Sequence, residues 1–293
     1  MGQQIVNGLF LGSIYALFAL GYTLVFGVLD ILNLAHAAVF MLASFLALTA
    51  VTAAGLPILA ALPLAMVGAA FIGLLLERVA FRPLRRRTDS NISGLISSLA
   101  MATVFEAVAL QIWGPNVTRF PFGTLPEGRP VSLLGAEISR LQLTTVAVAV
   151  ALFLLLTWLV QGTRLGRQVR AVAESPRAAR VLGIDVDRAI AASFFISSAL
   201  GGAAGVLYGL AYNAISPDMG RGIELKGLAV IILGGMGSMP GAVVAGFALG
   251  LSEVFVVAHL GASYRDAVSF AGLFLILVLR PRGLLGAAAL REA

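Results

Sequence analysis

Apolar stretches long enough to cross a lipid bilayer recur from one end of this 293-residue chain to the other. That recurrence constrains the fold more than any single motif. A helix needs ~20 apolar residues to traverse the hydrocarbon, where no water satisfies backbone N–H and C=O groups. Nine segments meet or approach that length: 5–27, 32–54, 57–79, 92–113, 143–161, 189–211, 223–234, 240–258 and 266–280. The seventh and ninth are short, so about eight or nine spans are expected. Short stretches broken by Gly and Pro are common in discontinuous transporter helices. The expected fold is an all-α polytopic membrane protein, one transmembrane domain over residues 1–293.

Composition excludes the soluble alternative. The chain is 59% hydrophobic and 12% charged, whereas soluble domains sit near half apolar and about a quarter charged. Too little polar surface is left to cover a core in water. The absence of cysteine excludes disulfides, iron–sulfur clusters and thiolate zinc sites. His36 and His259 are too far apart in sequence to suggest a metal site, and no cofactor is expected. The net charge of +6 comes from arginines beside apolar segments, a membrane pattern that implies lipid contact rather than nucleic acid. The first apolar run has no basic leader and is followed by further spans, so no cleavable signal is expected.

Charge placement also sets an orientation. Of the 20 basic residues, fourteen fall in 78–87, 164–188 and 280–291. The other side holds Arg119, Arg129, Arg140, Arg221, Lys226 and Arg265. The positive-inside rule places the first group in the cytoplasm, the amino terminus outside and the carboxyl terminus inside. Residues 114–142, with the extended-looking piece Arg129–Leu134, then form an extracytoplasmic loop too short to be an independent domain.

Residues 162–188 form the most informative polar segment. Val169, Val172 and Ala173 recur at helical spacing. Ser175 before Pro176 reads as an N-cap with proline at the first helical position. Ala178, Ala179, Val181 and Leu182 continue an apolar stripe, and Gly183 suits a left-handed stop. Two short helices across the membrane face are expected. The stripe has two readings, an arginine-rich loop obeying the charge rule or a docking element for a cytoplasmic partner. The chain carries no Walker motif, so any ATP hydrolysis belongs to another polypeptide.

Polar residues inside the spans are the pathway candidates. Asn33 and His36 open the second span, either as caps or as cavity-lining groups. Glu106 in the fourth span and Glu253 in the eighth each require a partner or water, since a bare carboxylate there costs several kcal/mol, roughly. Each is either a structural hub or a pathway residue. Glu77 and Arg78 read as interfacial. Gly8 and Gly12 favour close helix packing, as does Gly272. The strongest local feature runs from Glu224 to Gly250. There Gly234, Gly235, Gly237, Ser238, Pro240 and Gly241 read as a glycine-rich break between two membrane helices. It has no βαβ context and is not a dinucleotide site.

Four of these motifs, in this order, resemble the LivH-type permeases, the shorter membrane subunits of branched-chain amino-acid ABC importers. They are Gly12–Leu17 with Gly21–Tyr22; Gly27–His36; Gly166, Arg170, Ala171, Ala173, Pro176, Ala178, Ala179, Gly183 and Ile184; and Gly227–Gly241. The likeness spans the whole chain. It implies an inner-membrane permease forming half of a translocation pathway for branched-chain or other hydrophobic amino acids. It also implies a longer LivM-like permease, two cytoplasmic ATPases and a periplasmic binding protein as partners. The resemblance makes 162–188 the coupling loop, with Arg170, Ala173, Glu174, Pro176, Ala178, Ala179 and Gly183 at its contact. The chain departs from the family at Ala37, Ala38 and Ala43, the first and last of which replace usual glycines. Relatives carrying urea or short amides are the alternative for substrate, and an ion-coupled secondary transporter the alternative for mechanism. A membrane enzyme would need a convergent set of catalytic groups that the sequence does not display.

Overall fold

The computed structural model describes residues 1–85, 90–121, 123–124, 130–133, 135–280 and 283–285. The helices run α1 (Gly2–Leu29), α2 (His36–Ala54), α3 (Ile58–Leu76) and α4 (Ser90–Trp113). A hairpin follows, β1 (Val131–Leu133) and β2 (Ala136–Ile138). Then come α5 (Arg140–Gly162), α6 (Arg164–Glu174), α7 (Pro176–Val181) and α8 (Val186–Tyr212). The chain continues through α9 (Met219–Gly234), α10 (Met239–His259) and α11 (Arg265–Leu279). All nine apolar segments are helical. Among the described residues seven helices are long and apolar enough to span a bilayer. The other two, α9 and α11, have 16 and 15 residues, or about 24 and 22 Å at ~1.5 Å per residue. The charges Arg86, Arg87, Arg129, Arg282 and Arg291 lie outside the described residues.

Helix α1 is the axis of the bundle, buried nearly continuously from Leu11 to Val25. It packs on α10, α8, α5 and α9. Glycine allows its antiparallel contact with α10 to close to backbone distance. A Cβ on Gly250 would sit 2.4 Å from Gly12 N, and one on Gly246 would sit 2.7 Å from Ala16 N. Without an aqueous driving force between helices, such close packing supplies much of the cohesion. Gly272 behaves differently from expectation: nothing lies within 4 Å of where its Cβ would be. Its small size answers no packing need among the described residues.

Helices α2, α3 and α8 form the second packed layer. A Cβ on Gly205 would lie 2.1 Å from Phe40 O. Ala43 faces Gly202, with 3.2 Å between its methyl and the position a Cβ there would take. Ala37 and Ala38 sit inside regular helix and are buried.

Loops gather at two faces. At the face carrying the amino terminus, the Gln3 amide exchanges bonds of 3.0 and 2.9 Å with the Glu137 backbone in β2. Thr118 and Ile215 pair through two 2.8 Å backbone bonds. The expected extended piece is present as β1; Arg129 and Leu134 fall outside the described residues. The opposite, arginine-rich face holds the 30–35 turn, the end of α3, α6, α7 and the α9–α10 turn.

Candidate functional site

The glycine-rich break is a tight hairpin between α9 and α10. Gly235 and Gly237 adopt φ of 100° and 84°, conformations that cost a side-chain-bearing residue. Ser238 caps α10 by accepting from Gly241 N at 3.2 Å, and Pro240 sits in the first turn, where no N–H is needed. Gly234 and Gly241 meet backbone to backbone: a Cβ on Gly234 would lie 2.4 Å from Gly241 C. The segment after α11 closes over this turn. Leu284 N and Leu285 N donate to Leu233 O and Gly234 O at 2.8 and 3.1 Å.

Asn33 and His36 are both buried, and they do different jobs. Asn33 Oδ1 accepts from Ala35 N at 3.2 Å, an Asx-type turn that organises the start of α2. His36 wedges between α1 and α8. Its ring lies 4.9 and 5.5 Å from those of Phe18 and Tyr22, in space left by Gly21 and Gly201. Both ring nitrogens of His36 are buried with no hydrogen-bond partner among the described residues.

Glu253 is the centre of a buried charge cluster. Tyr15 Oη donates to it at 2.8 Å. Lys226 Nζ lies 2.9 Å from Glu253 Oε1 and 3.3 Å from Asp266 Oδ1, and 5.5 Å from the centre of the Tyr15 ring. One ammonium thus joins α9 to α1, α10 and α11. Sequence reasoning found Glu253 but counted Lys226 only as a loop charge. The available signal was that Lys226 is the sole lysine, set in an otherwise apolar stretch. Beside this cluster, Gln4, Asn7, Leu11, Val254, Val257 and Arg265 help line a cavity of about 290 Å³. Glu106 has its own partner, Arg221 at 2.8 Å, which ties α4 to the start of α9. Among the described residues no group of three His, Cys or acidic side chains could hold a metal.

At the arginine-rich face, α3 continues past Leu76 through a π-helical turn, Glu77–Phe81. Glu77 is buried there, contrary to the interfacial expectation. It pairs with Arg85, whose other nitrogen reaches Asp187 at the start of α8 at 3.0 Å. Desolvation lowers the Arg85 pKa; the Asp187 charge opposes this and the Arg180 charge adds to it.

The 162–188 segment holds two short helices as expected. Thr163 caps α6 and Ser175 caps α7, accepting from Gly166 N and Ala178 N at 3.1 and 3.2 Å. Gly183 has φ 79°. The apolar stripe, however, splits between two directions. Val169, Val172 and Ala179 are buried against the bundle, while Ala173, Glu174, Pro176 and Ala178 are exposed. Val181 and Leu182 are 88% and 76% exposed. Arg170 is exposed, and its guanidinium donates to Val160 O at the end of α5. Gly166 makes this corner possible: a Cβ would lie 2.2 Å from that same carbonyl oxygen.

A polytopic bundle with a broken-helix hairpin, a membrane charge cluster and a short two-helix platform is built as a transport subunit. The chain belongs to the family described as the permease component of branched-chain amino acid transport systems, which matches residues 4–279. It is 37% identical over 97% of its length, and 95% of the relative's, to the high-affinity branched-chain amino acid permease BraD of Pseudomonas aeruginosa. LivH of Escherichia coli is 36% identical with the same coverage. A probable LivH from Methanocaldococcus jannaschii is 27% identical over 98% of this chain and 93% of its own. The chain is therefore a permease of the ABC importer type and a multi-pass protein of the bacterial inner membrane.

Proposed function

We propose that this chain forms half of the pathway by which branched-chain aliphatic amino acids enter the cell, and that α6 and α7 are its coupling platform. In this reading a longer LivM-like permease supplies the other half. A binding protein delivers substrate to the face carrying the amino terminus, which is extracytoplasmic, with 114–142 as its loop. Two ATPases work at the arginine-rich, cytoplasmic face. The carboxyl terminus is on that same side.

The split stripe is the observation that carries the coupling role. Val169, Val172 and Ala179 fasten the two helices to the bundle, so a push on them is passed to α1, α5 and α8. Val181 and Leu182 are left as an outward apolar contact. An element both anchored and outward-facing can convert closure of a partner into rearrangement of packed helices. Motion at the Gly234–Gly241 hairpin would then alter the α9–α10 arrangement beside the Lys226–Glu253 cluster.

Affinity purification of the chain with its cognate system, followed by uptake of labelled leucine, isoleucine and valine in proteoliposomes, tests this. ATP-dependent uptake that requires the binding protein supports it. Uptake by this chain alone, driven by an ion gradient, overturns it.

A further inference from the structure

Away from the hairpin, a cationic groove opens at the arginine-rich face, between the end of α3 and α7. Arg78, Arg82, Arg85 and Arg180 line it with Pro83 and Asp187, around a volume of about 910 Å³. Arg85 is committed to Glu77 and Asp187. Arg82 shares Asp187 at 3.3 Å and keeps 53% of its side chain exposed. Among the described residues, no carboxylate lies within ion-pair distance of Arg78 or Arg180. Among the described residues the lining thus holds four arginines against Asp187, with Glu77, Asp185 and Arg188 in the adjoining cavity, and the Arg180 charge contributes to lowering the Arg85 pKa.

What lies next to the arginines selects the ligand. Phe71 and Leu75 on α3 and Val79 in the π-helical turn after it are 61%, 51% and 55% exposed. Phe71 and Leu75, four apart, share one side of α3, and the π-helical turn directly beyond them carries Arg78 and Val79, with Arg82 at its end. The π-helical turn, closed by an Arg82 N to Glu77 O bond of 2.8 Å, re-aims the helix where apolar surface gives way to charge. A continuous apolar stripe ending in guanidinium groups matches a molecule with acyl chains and an anionic head. Free phosphate would leave the stripe unused. Guanidinium groups suit phosphate oxygens because their fork can donate two bonds at once.

We propose that this groove holds the headgroup of an anionic phospholipid, of the phosphatidylglycerol class, with its acyl chains along Phe71, Leu75 and Val79. Arg180 belongs to α7, so a bound headgroup links the end of α3 to the second coupling helix. Basic pockets at helix ends are established headgroup sites in membrane proteins.

The test is lipid retention by the purified full-length chain. Native mass spectrometry after exchange into mixed phosphatidylcholine and phosphatidylglycerol nanodiscs gives the bound lipid per chain. The Arg78→Gln/Arg180→Gln variant removes the two arginines without described carboxylate partners and spares the Glu77–Arg85–Asp187 contacts. Arg164→Gln/Arg167→Gln removes the same charge elsewhere on the face. The expected result is a loss of phosphatidylglycerol retention in the first variant of about fivefold per arginine, and no loss in the second. Competition by inorganic phosphate as effective as that by short-chain phosphatidylglycerol overturns the lipid assignment. So does equal retention by wild type and both variants, or equal loss in both. If the first variant retains lipid but no longer recovers the ATPases, the groove is a protein-docking surface and the proposal fails.

Discussion

Lys226 on α9 and Glu253 on α10 form a 2.9 Å ion pair inside the bundle, with Glu253 almost fully buried and 14% of the lysine side chain exposed. The pair cross-links α9 and α10 away from the hairpin turn, where Gly234 meets Gly241. Asp266 and Tyr15 extend it to α11 and α1. Breaking a buried ion pair by removing one partner costs about 3–5 kcal/mol in proteins; the cost should be smaller for Glu253→Gln, where Lys226 keeps the more exposed Asp266. Lys226→Met and Glu253→Gln are each expected to lower thermal stability, the first more strongly. The double variant should recover part of the loss, because no lone charge remains. Fluorescence-detected size exclusion after a heating series measures this. A double variant as unstable as the sum of the two singles would show that the residues act independently.

The α1–α10 contact gives a contrast between glycines. Gly250→Val should disrupt it, since even the first side-chain carbon would meet Gly12 N at 2.4 Å. Overpacking typically costs about 1–3 kcal/mol, and more where backbone must move. Gly272→Ala should be near neutral, since its Cβ meets nothing within 4 Å. The yield of monodisperse protein from membranes compares them. Similar yields for the two variants would mean that the helices can separate at little cost.

The arginine-rich face supports a similar contrast between two carboxylates sharing Arg85. Glu77 is 2% exposed and Asp187 is 42% exposed. Glu77→Gln leaves a largely buried guanidinium short of its buried counter-charge, so a loss of about 3 kcal/mol or more is expected. Asp187→Asn removes a solvent-screened partner and should cost less than about 1 kcal/mol. The same heating series ranks them, and the reverse order would reject Glu77 as the principal partner.

Local features were legible in the sequence because their causes are local. A cap such as Ser175 to Ala178, the φ of Gly183 and the Gly234–Gly241 turn each depend on residues a few positions apart. The nine apolar segments all emerged as helices for the same reason. The charge cluster was not legible: Tyr15 and Glu253 are 238 positions apart, and nothing local says that one lysine faces both. Glu77 looked interfacial because the apolar run in the sequence ends there. The π-helical turn carries the helix past that point and brings Arg85 back to it. Periodicity showed that 162–188 has apolar positions, but it could not show which were covered by the bundle.

That last ambiguity supplies the sharpest test of coupling. Val172 and Val181 are both valines in the platform, one fully buried and the other 88% exposed. Val172→Asp puts a carboxylate into the packed contact of α6 with the bundle, where an unpaired charge is strongly unfavourable. It should reduce folded yield, with lost transport as a consequence. Val181→Asp/Leu182→Asp places charge on the exposed end of α7 and should leave folded yield and heat resistance near wild type. If α7 is the contact through which ATP-driven closure is felt, this double variant will lose ATPase recovery and leucine uptake together, by about tenfold or more, as expected when an apolar anchor of an interface is replaced. A folded, monodisperse double variant with wild-type ATPase recovery and uptake would remove α7 from the coupling path and leave α6 and α7 as a structural collar.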